Sequence, residues 1–358
     1  MKNSDRPGRF ANAIDCDVHN SIPSAKVLYP YLSEYWQDFM DEAGRPSLET
    51  NAYPANSAIA ARPDARAADV PPGSDPDTLI AQVLDAPGSR RAILNCLYGV
   101  HAIYNEYWAA ALATAVNDWM AAHWLARDPR LSASIVIAPQ NPQSAAEEIE
   151  RRAGDRRFVQ VLLPARTLMP LGRRFYWPVY EAAARHGLPV CIHAGGGGAG
   201  QPPTAAGWPT HYVEEYLAVA QGFQGQLVSL VTEGVFAKLP ALTVVFAESG
   251  FTWLPALMWR LDKNWKGLRR EVPWVDRLPS EIIRDHLKLT LQPLDQPNEL
   301  RRLVETLDHI GSDEMLLFST DYPHWQFDDE GPLPLDLSPE AERKLLFANA
   351  ERTYRFHA

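Results

Sequence analysis

The stretch FYWPVYEAAARHGLPVCIH, residues 175–193, decides the architecture. Its first part, Phe175 to His186, is an amphipathic helical run, and His186-Gly187-Leu188-Pro189 carries the helix-stop signals of glycine followed by proline. A short apolar run, Pro189 to His193, then reads as a buried strand that ends on a chemically useful side chain. Helix, stop and strand in this order make up one unit of a parallel α/β sheet.

The same alternation extends in both directions. Strand candidates are Ala13 to Val18, Ala92 to Leu97, Ser132 to Ala138, Phe158 to Leu163, Pro189 to His193, Leu242 to Ala247, Leu287 to Leu291 and Met315 to Ser319. Helical patterns fall at Asn105 to Ala126, Ala145 to Ala153, Phe175 to His186, Val213 to Lys238, Trp253 to Trp265, Asn298 to Leu307 and Pro339 to Ala348. Eight strands with helices between them predict a (β/α)8 TIM barrel, one domain spanning 1–358. Such a barrel needs about 250 residues, so the rest must be insertions or tails. The largest, Asp41 to Ala86, follows the first strand and is expected to be a lid over the catalytic mouth; Gly195 to Thr210 and Trp325 to Leu337 are further loops on that face.

Composition narrows the function. Hydrophobic residues make up 46% of the 358 and charged residues 22%, the balance of a folded globular protein. A net charge of −10 with no dense basic run argues against nucleic acid as a partner. Cys16, Cys96 and Cys191 are odd in number and far apart, giving neither a disulfide framework nor a paired-cysteine metal site, which suits a reducing compartment. The opening MKNSDRPGRF lacks the apolar core of a signal peptide, and the apolar stretch Leu227 to Phe246 is broken by Glu233, Lys238 and Pro240, so a cytoplasmic location without a membrane partner is expected.

Barrel active sites form at the C-terminal ends of strands. Four of the eight predicted ends carry groups able to bind a metal or move a proton: Asp17 and His19 on the first, His193 on the fifth, Glu248 on the sixth and Asp321 with His324 on the eighth. Asp17 and His19 are two apart and share a strand face. Imidazole nitrogen with carboxylate oxygen suits zinc, and also manganese or iron. Each residue alone would more often be structural; the joint pattern in barrel order makes the metal site. The run Gly195 to Gly198 matches no phosphate-binding fingerprint and is read as a close approach of loop to substrate. Cys191 reads as packing, Ser249 lacks a nucleophile-elbow setting, and His101, His123, His186, His211, His286, His309 and His357 are taken as structural.

Three segments carry a family resemblance: the terminal Ser319-Thr320-Asp321-Tyr322-Pro323-His324, His193-Ala194-Gly195-Gly196, and Leu242 through Glu248-Ser249-Gly250-Phe251 to Trp253, Pro255, Arg260 and Asp262. The sequence resembles the amidohydrolase superfamily, in the branch of aminocarboxymuconate-semialdehyde decarboxylase and related aromatic-acid decarboxylases. The resemblance implies one divalent metal, usually zinc, held by Asp17, His19, His193 and Asp321, and a homodimer is common in that family. Two positions depart from its better-known decarboxylases: Asp17 stands where they use His or Glu, and Glu248 where they place a proton-handling His. The resemblance implies non-oxidative decarboxylation of a small carboxylated aromatic or unsaturated substrate. Asp321, Glu248 and His324 would be the catalytic groups and Arg260 a clamp for substrate carboxylate. Metal-dependent hydrolysis of an amide, ester, lactone or activated C–C bond fits the same ligands, and a non-catalytic barrel that binds a small molecule is the remaining alternative.

Overall fold

The computed structural model describes residues 10–43, 61–66, 70–197, 202–299, 301–324 and 337–356. Eight parallel strands form one sheet in sequence order: β1 Ile14–Val18, β2 Arg91–Leu94, β3 Leu131–Val136, β4 Phe158–Arg166, β5 Val190–Gly196, β6 Val244–Ala247, β7 Leu287–Thr290 and β8 Leu316–Leu317. The ring closes between the last strand and the first. Cys16 N donates to Phe318 O at 2.9 Å, Asp321 N to Asp17 O at 3.1 Å and His19 N to Tyr322 O at 2.7 Å. This is the expected (β/α)8 barrel, with each predicted strand in place.

Helices cover the outside, and their ends follow local chemistry. Asn105 and Asn141 accept hydrogen bonds from Trp108 N and Ser144 N at the starts of Glu106–Trp119 and Pro142–Arg152. Helix Trp177–His186 ends where Gly187 turns left-handed, as the quoted stretch predicts. The single helix expected over Val213 to Lys238 is two, Tyr212–Thr232 and Val235–Lys238, because Gly234 at φ +80° breaks the ladder. Helices Glu34–Glu42 and Pro279–His286 are additions that the sequence reading did not include.

The insertion 41–86 falls partly outside the described residues. Its described end is helical: Pro76–Leu79 and Ile80–Asp85 are capped by Asp75 and bury Leu79, Val83 and Leu84. Upstream, Arg62 N donates to Pro323 O and Ser21 N to Gly73 O, so this segment lies against the C-terminal ends of β1 and β8. Gly73, at φ +75°, approaches so closely that a Cβ there would sit 2.4 Å from the His19 carbonyl oxygen. No helix among the described residues is long and apolar enough to cross a membrane.

Candidate active site

Strand ends β1, β5, β6 and β8 bring the buried Asp17, His19, His193 and Asp321 together with the half-buried Glu248 and His324. Ligand atoms of Asp17, His19 and His193 lie within 4.8 Å of one another, as do those of His19, Asp321 and His324. His19 Nε2 is 3.0 Å from Asp321 Oδ1 and 3.6 Å from Asp17 Oδ1, and His193 Nε2 is 3.3 Å from Asp17 Oδ1. Acids and imidazoles therefore alternate across the top of the barrel.

Both strand histidines are oriented from behind. His19 Nδ1 donates to the Asn95 carbonyl at 3.0 Å and His193 Nδ1 to the Ala194 carbonyl at 2.8 Å, which turns each Nε2 toward the carboxylates. Asp17 is aimed by Asn95, whose amide donates to Oδ1 at 2.7 Å. Behind it, Gln160 Nε2 and the Ser134 hydroxyl donate to Asn95 Oδ1, a buried polar chain running across β2, β3 and β4.

The suitability of this cluster for a divalent cation is decided by the atoms left over. Asp17 Oδ2, Asp321 Oδ2 and His193 Nε2 are buried without a hydrogen-bond partner among the described residues. Buried polar atoms are normally satisfied, and nitrogen with carboxylate oxygen is a donor set for zinc, manganese or iron. The residues fit the ion.

Charge in the cluster is balanced by protons. Burial opposes ionisation of every member, yet the histidines hold the carboxyls of Asp17 and Asp321 below their ordinary range. For His19, burial disfavours the cation, but Asp17 and Asp321 outweigh it and lift the imidazole to about 10. His193 and His324 are raised against the same opposition from burial, by Asp17 and Asp321 respectively. Glu248 goes the other way: burial, then the charge of Asp321, pushes it up to about 7. It stands 3.8 Å from His193 Nδ1 and 3.9 Å from His324 Nδ1.

Backbone strain marks the same place. Glu248 at φ +62° and Asp321 at φ +57° are left-handed non-glycine residues, a conformation that costs on the order of 1–3 kcal/mol and collects at functional sites. The Glu248 turn is held by its N–H, which donates to Thr290 Oγ1 at 3.0 Å.

A cleft of about 180 Å³ opens beside the cluster, lined in part by His193, Glu248 and His324 and by Gly195 and Gly196. Arg260 is not in it. On helix Leu254–Leu268 the buried face carries Leu254, Pro255 and Met258; a residue two beyond Met258 is rotated about 200° and is exposed. The guanidinium that does line the cleft is Arg166, three residues beyond the predicted end of the fourth strand. His101, read as structural, also lines it, together with Tyr98, Tyr212, Glu215 and Tyr216. For His101 and Arg166 the available signal was their position just past the predicted ends of the second and fourth strands, on the catalytic face. Ser249 and Cys191 are buried, Ser249 donating to the Gly250 carbonyl and the Cys191 thiol pushed up by burial, so neither is a nucleophile here.

Comparison with known proteins agrees with this geometry. An amidohydrolase family model matches residues 14–356. The chain is 25% identical over 293 residues to a gamma-resorcylate decarboxylase of Polaromonas sp., covering 77% of this chain and 86% of that protein. Its fold is similar to that of 5-carboxyvanillate decarboxylase from Sphingomonas paucimobilis, with a TM-score of 0.70, 20% identity and coverage of 97% and 99%. It is likewise similar to that of a dihydroxybenzoic acid decarboxylase from Polaromonas sp., crystallised with manganese and the inhibitor 2-nitroresorcinol, with a TM-score of 0.69, 22% identity and coverage of 96% of each chain. With the match running from the first strand to beyond the last, the chain belongs to the amidohydrolase family.

Proposed function

We propose that this protein is a metal-dependent, non-oxidative decarboxylase of a small carboxylated aromatic acid. The observation that carries the proposal is a buried cluster in which one imidazole nitrogen, His193 Nε2, and two carboxylate oxygens, Asp17 Oδ2 and Asp321 Oδ2, lack partners among the described residues, beside an acid, Glu248, that keeps its proton up to about pH 7. Decarboxylases of hydroxylated and carboxylated benzoates among the similar proteins support it.

Asp17, His19, His193 and Asp321 would hold one divalent ion. Zinc and manganese both suit the donors, and the manganese in a similar structure favours manganese. Once bound, the ion supplies an electrophile for substrate oxygens and offsets negative charge developing in the transition state. The protein's own groups do the rest. Asn95 and the Ala194 carbonyl keep the ligands aimed. Glu248 delivers its proton to the ring carbon that bears the carboxylate. The C–C bond then breaks, its electron pair returns to the ring and carbon dioxide leaves. Solvent restores the Glu248 proton. His324, bound to Asp321 Oδ1 at 2.9 Å, would orient that carboxylate and face the substrate from the eighth strand.

The segment from 41 to 86 would act as a lid, a reading supported by its contacts with His19 and Pro323. Three buried free cysteines support a reducing compartment such as the cytoplasm. The test is protein loaded with Mn²⁺ or Zn²⁺ and assayed against aromatic carboxylates, amides and esters, with carbon dioxide scored apart from hydrolytic products. Metal-dependent release of carbon dioxide, with solvent deuterium entering the ring at the vacated carbon, is expected. Hydrolytic products without carbon dioxide would replace this reading with a hydrolase.

A further inference from the structure

The cleft has a second polar wall that the decarboxylation step leaves unused. In the pairing of β4 with β5, Pro164 is level with His193 and Arg166 with Gly196. Gln160, on the same strand, points into the barrel toward Asn95 and Ser134. Arg166 lines the cleft, just past a one-residue shift in register on β5. It stands two residues, roughly 7 Å, farther toward the mouth than the level of His193. The separation suits a benzene ring with one substituent at the acid–imidazole cluster and another at the guanidinium. Gly196 keeps β5 close on this side: a Cβ there would lie 2.3 Å from the Arg166 carbonyl oxygen.

The guanidinium is held but not saturated. Nη1 donates to the Pro203 carbonyl at 3.3 Å and Nη2 to Glu215 Oε1 at 3.2 Å. Nε is buried and meets no acceptor among the described residues; the same holds for Tyr98 Oη and His101 Nε2, and all three side chains line the cleft. Burial, then the charge of Arg166, lowers His101 to about 4, leaving a neutral ring that does not repel the guanidinium at pH 7. Three unsatisfied polar atoms on one wall are a costly arrangement unless a ligand completes them. An Arg fork whose Nε–H is unused matches a carboxylate in bidentate fashion.

Building on the decarboxylase reading, we propose that Arg166, with Tyr98 and His101, forms a second anion subsite, and that the substrate is an aromatic dicarboxylate whose retained carboxylate sits there, across the ring from the one removed. Glu215 holds the guanidinium from its other side and balances its charge until substrate arrives.

The test is calorimetric titration of full-length, Mn²⁺-loaded protein with benzoate and with benzene-1,4-dicarboxylate. The dicarboxylate should bind at least about tenfold more tightly. In Arg166→Gln the ratio should fall to within about twofold, with an intermediate value in Arg166→Lys, which keeps the charge and loses the fork. Manganese content should stay at the wild-type level in both. Tyr98→Phe, which changes only one hydroxyl, should cut the ratio severalfold and serves if the arginine variants misfold. Equal affinities in the wild type, or a ratio untouched by these substitutions, overturns the subsite. Carbon dioxide is scored separately. Selectivity for the dicarboxylate without decarboxylation sinks the catalytic reading and keeps the subsite, whereas decarboxylation of monocarboxylates without that selectivity does the reverse.

Discussion

The side-chain amide of Asn95 donates to Asp17 Oδ1 at 2.7 Å, so the second strand aims a carboxylate carried by the first. The same residue's carbonyl receives His19 Nδ1. Partners of this kind are worth about 10–100-fold in metal affinity. Asn95→Ala should therefore weaken Mn²⁺ binding by about that factor while the circular dichroism of the fold stays near native. Calorimetry with Mn²⁺ settles it, and unaltered affinity would mean that the amide aims nothing.

Ligand variants and proton-transfer variants should separate cleanly. Elemental analysis of His193→Ala and Asp321→Asn is expected to find little metal, and of Glu248→Gln a wild-type content. Affinity should also rise with pH. His19, lifted to about 10, carries a proton at neutral pH that must leave before Nε2 can bind a cation. Titrations between pH 6 and 9 in buffers of different ionisation enthalpy would reveal that proton release. A pH-independent constant would contradict it.

On the proposed mechanism Glu248 should set the pH limb of turnover. Its folded value of about 7 means that it carries its proton below pH 7 and loses it above. Decarboxylation that draws on that proton should decline as pH rises through 7. Glu248→Gln should lose about 10²–10⁴-fold in turnover and, in what activity remains, the decline near pH 7. Full activity in the variant would remove Glu248 from the mechanism.

Asp15 predicts a stability effect away from the chemistry. It is buried, accepts from Thr320 N at 3.0 Å and Thr320 Oγ1 at 2.6 Å, and burial lifts it to about 7. An acid raised on folding binds its proton more tightly in the native state. Its contribution is therefore full below its ordinary value near 4 and is lost as pH climbs through 7, a swing on the order of a few kcal/mol. Urea denaturation at pH 5 and pH 8 should show that loss in the wild type and a flatter response in Asp15→Asn. Parallel curves would show that Asp15 does not govern it.

What the sequence disclosed follows from how locally each feature is encoded. Each barrel strand is a short apolar run, the fifth preceded by a glycine–proline stop, and the acid–imidazole cluster lies at strand ends whose place the run itself marks. Arg260 misled because a residue type says nothing of helix phase: two positions past Met258 it faces out. Arg166 escaped because its place in the cleft depends on register between strands, and His101 because it lies in the short helix Val100–Ala102 beyond β2. β4 runs on to Arg166, beyond the Leu163 at which its apolar run stops, and only the pairing with Gly196 brings the guanidinium over the cleft. The break at Gly234 was written in the sequence, but glycine inside an apolar helical run does not by itself say whether the helix stops or continues.

The closure of β8 on β1 has a consequence for how the molecule is made. Asp17 and His19 leave the ribosome before Asp321, which is 302 residues behind His19 and becomes its neighbour only when the ring shuts. A nascent chain thus carries the halves of the centre apart, and the crowded carboxylates meet only once the fold that restrains them exists. A cation held as proposed would act as a staple across the seam, and a product truncated before Asp321 would lack both the closed ring and that staple.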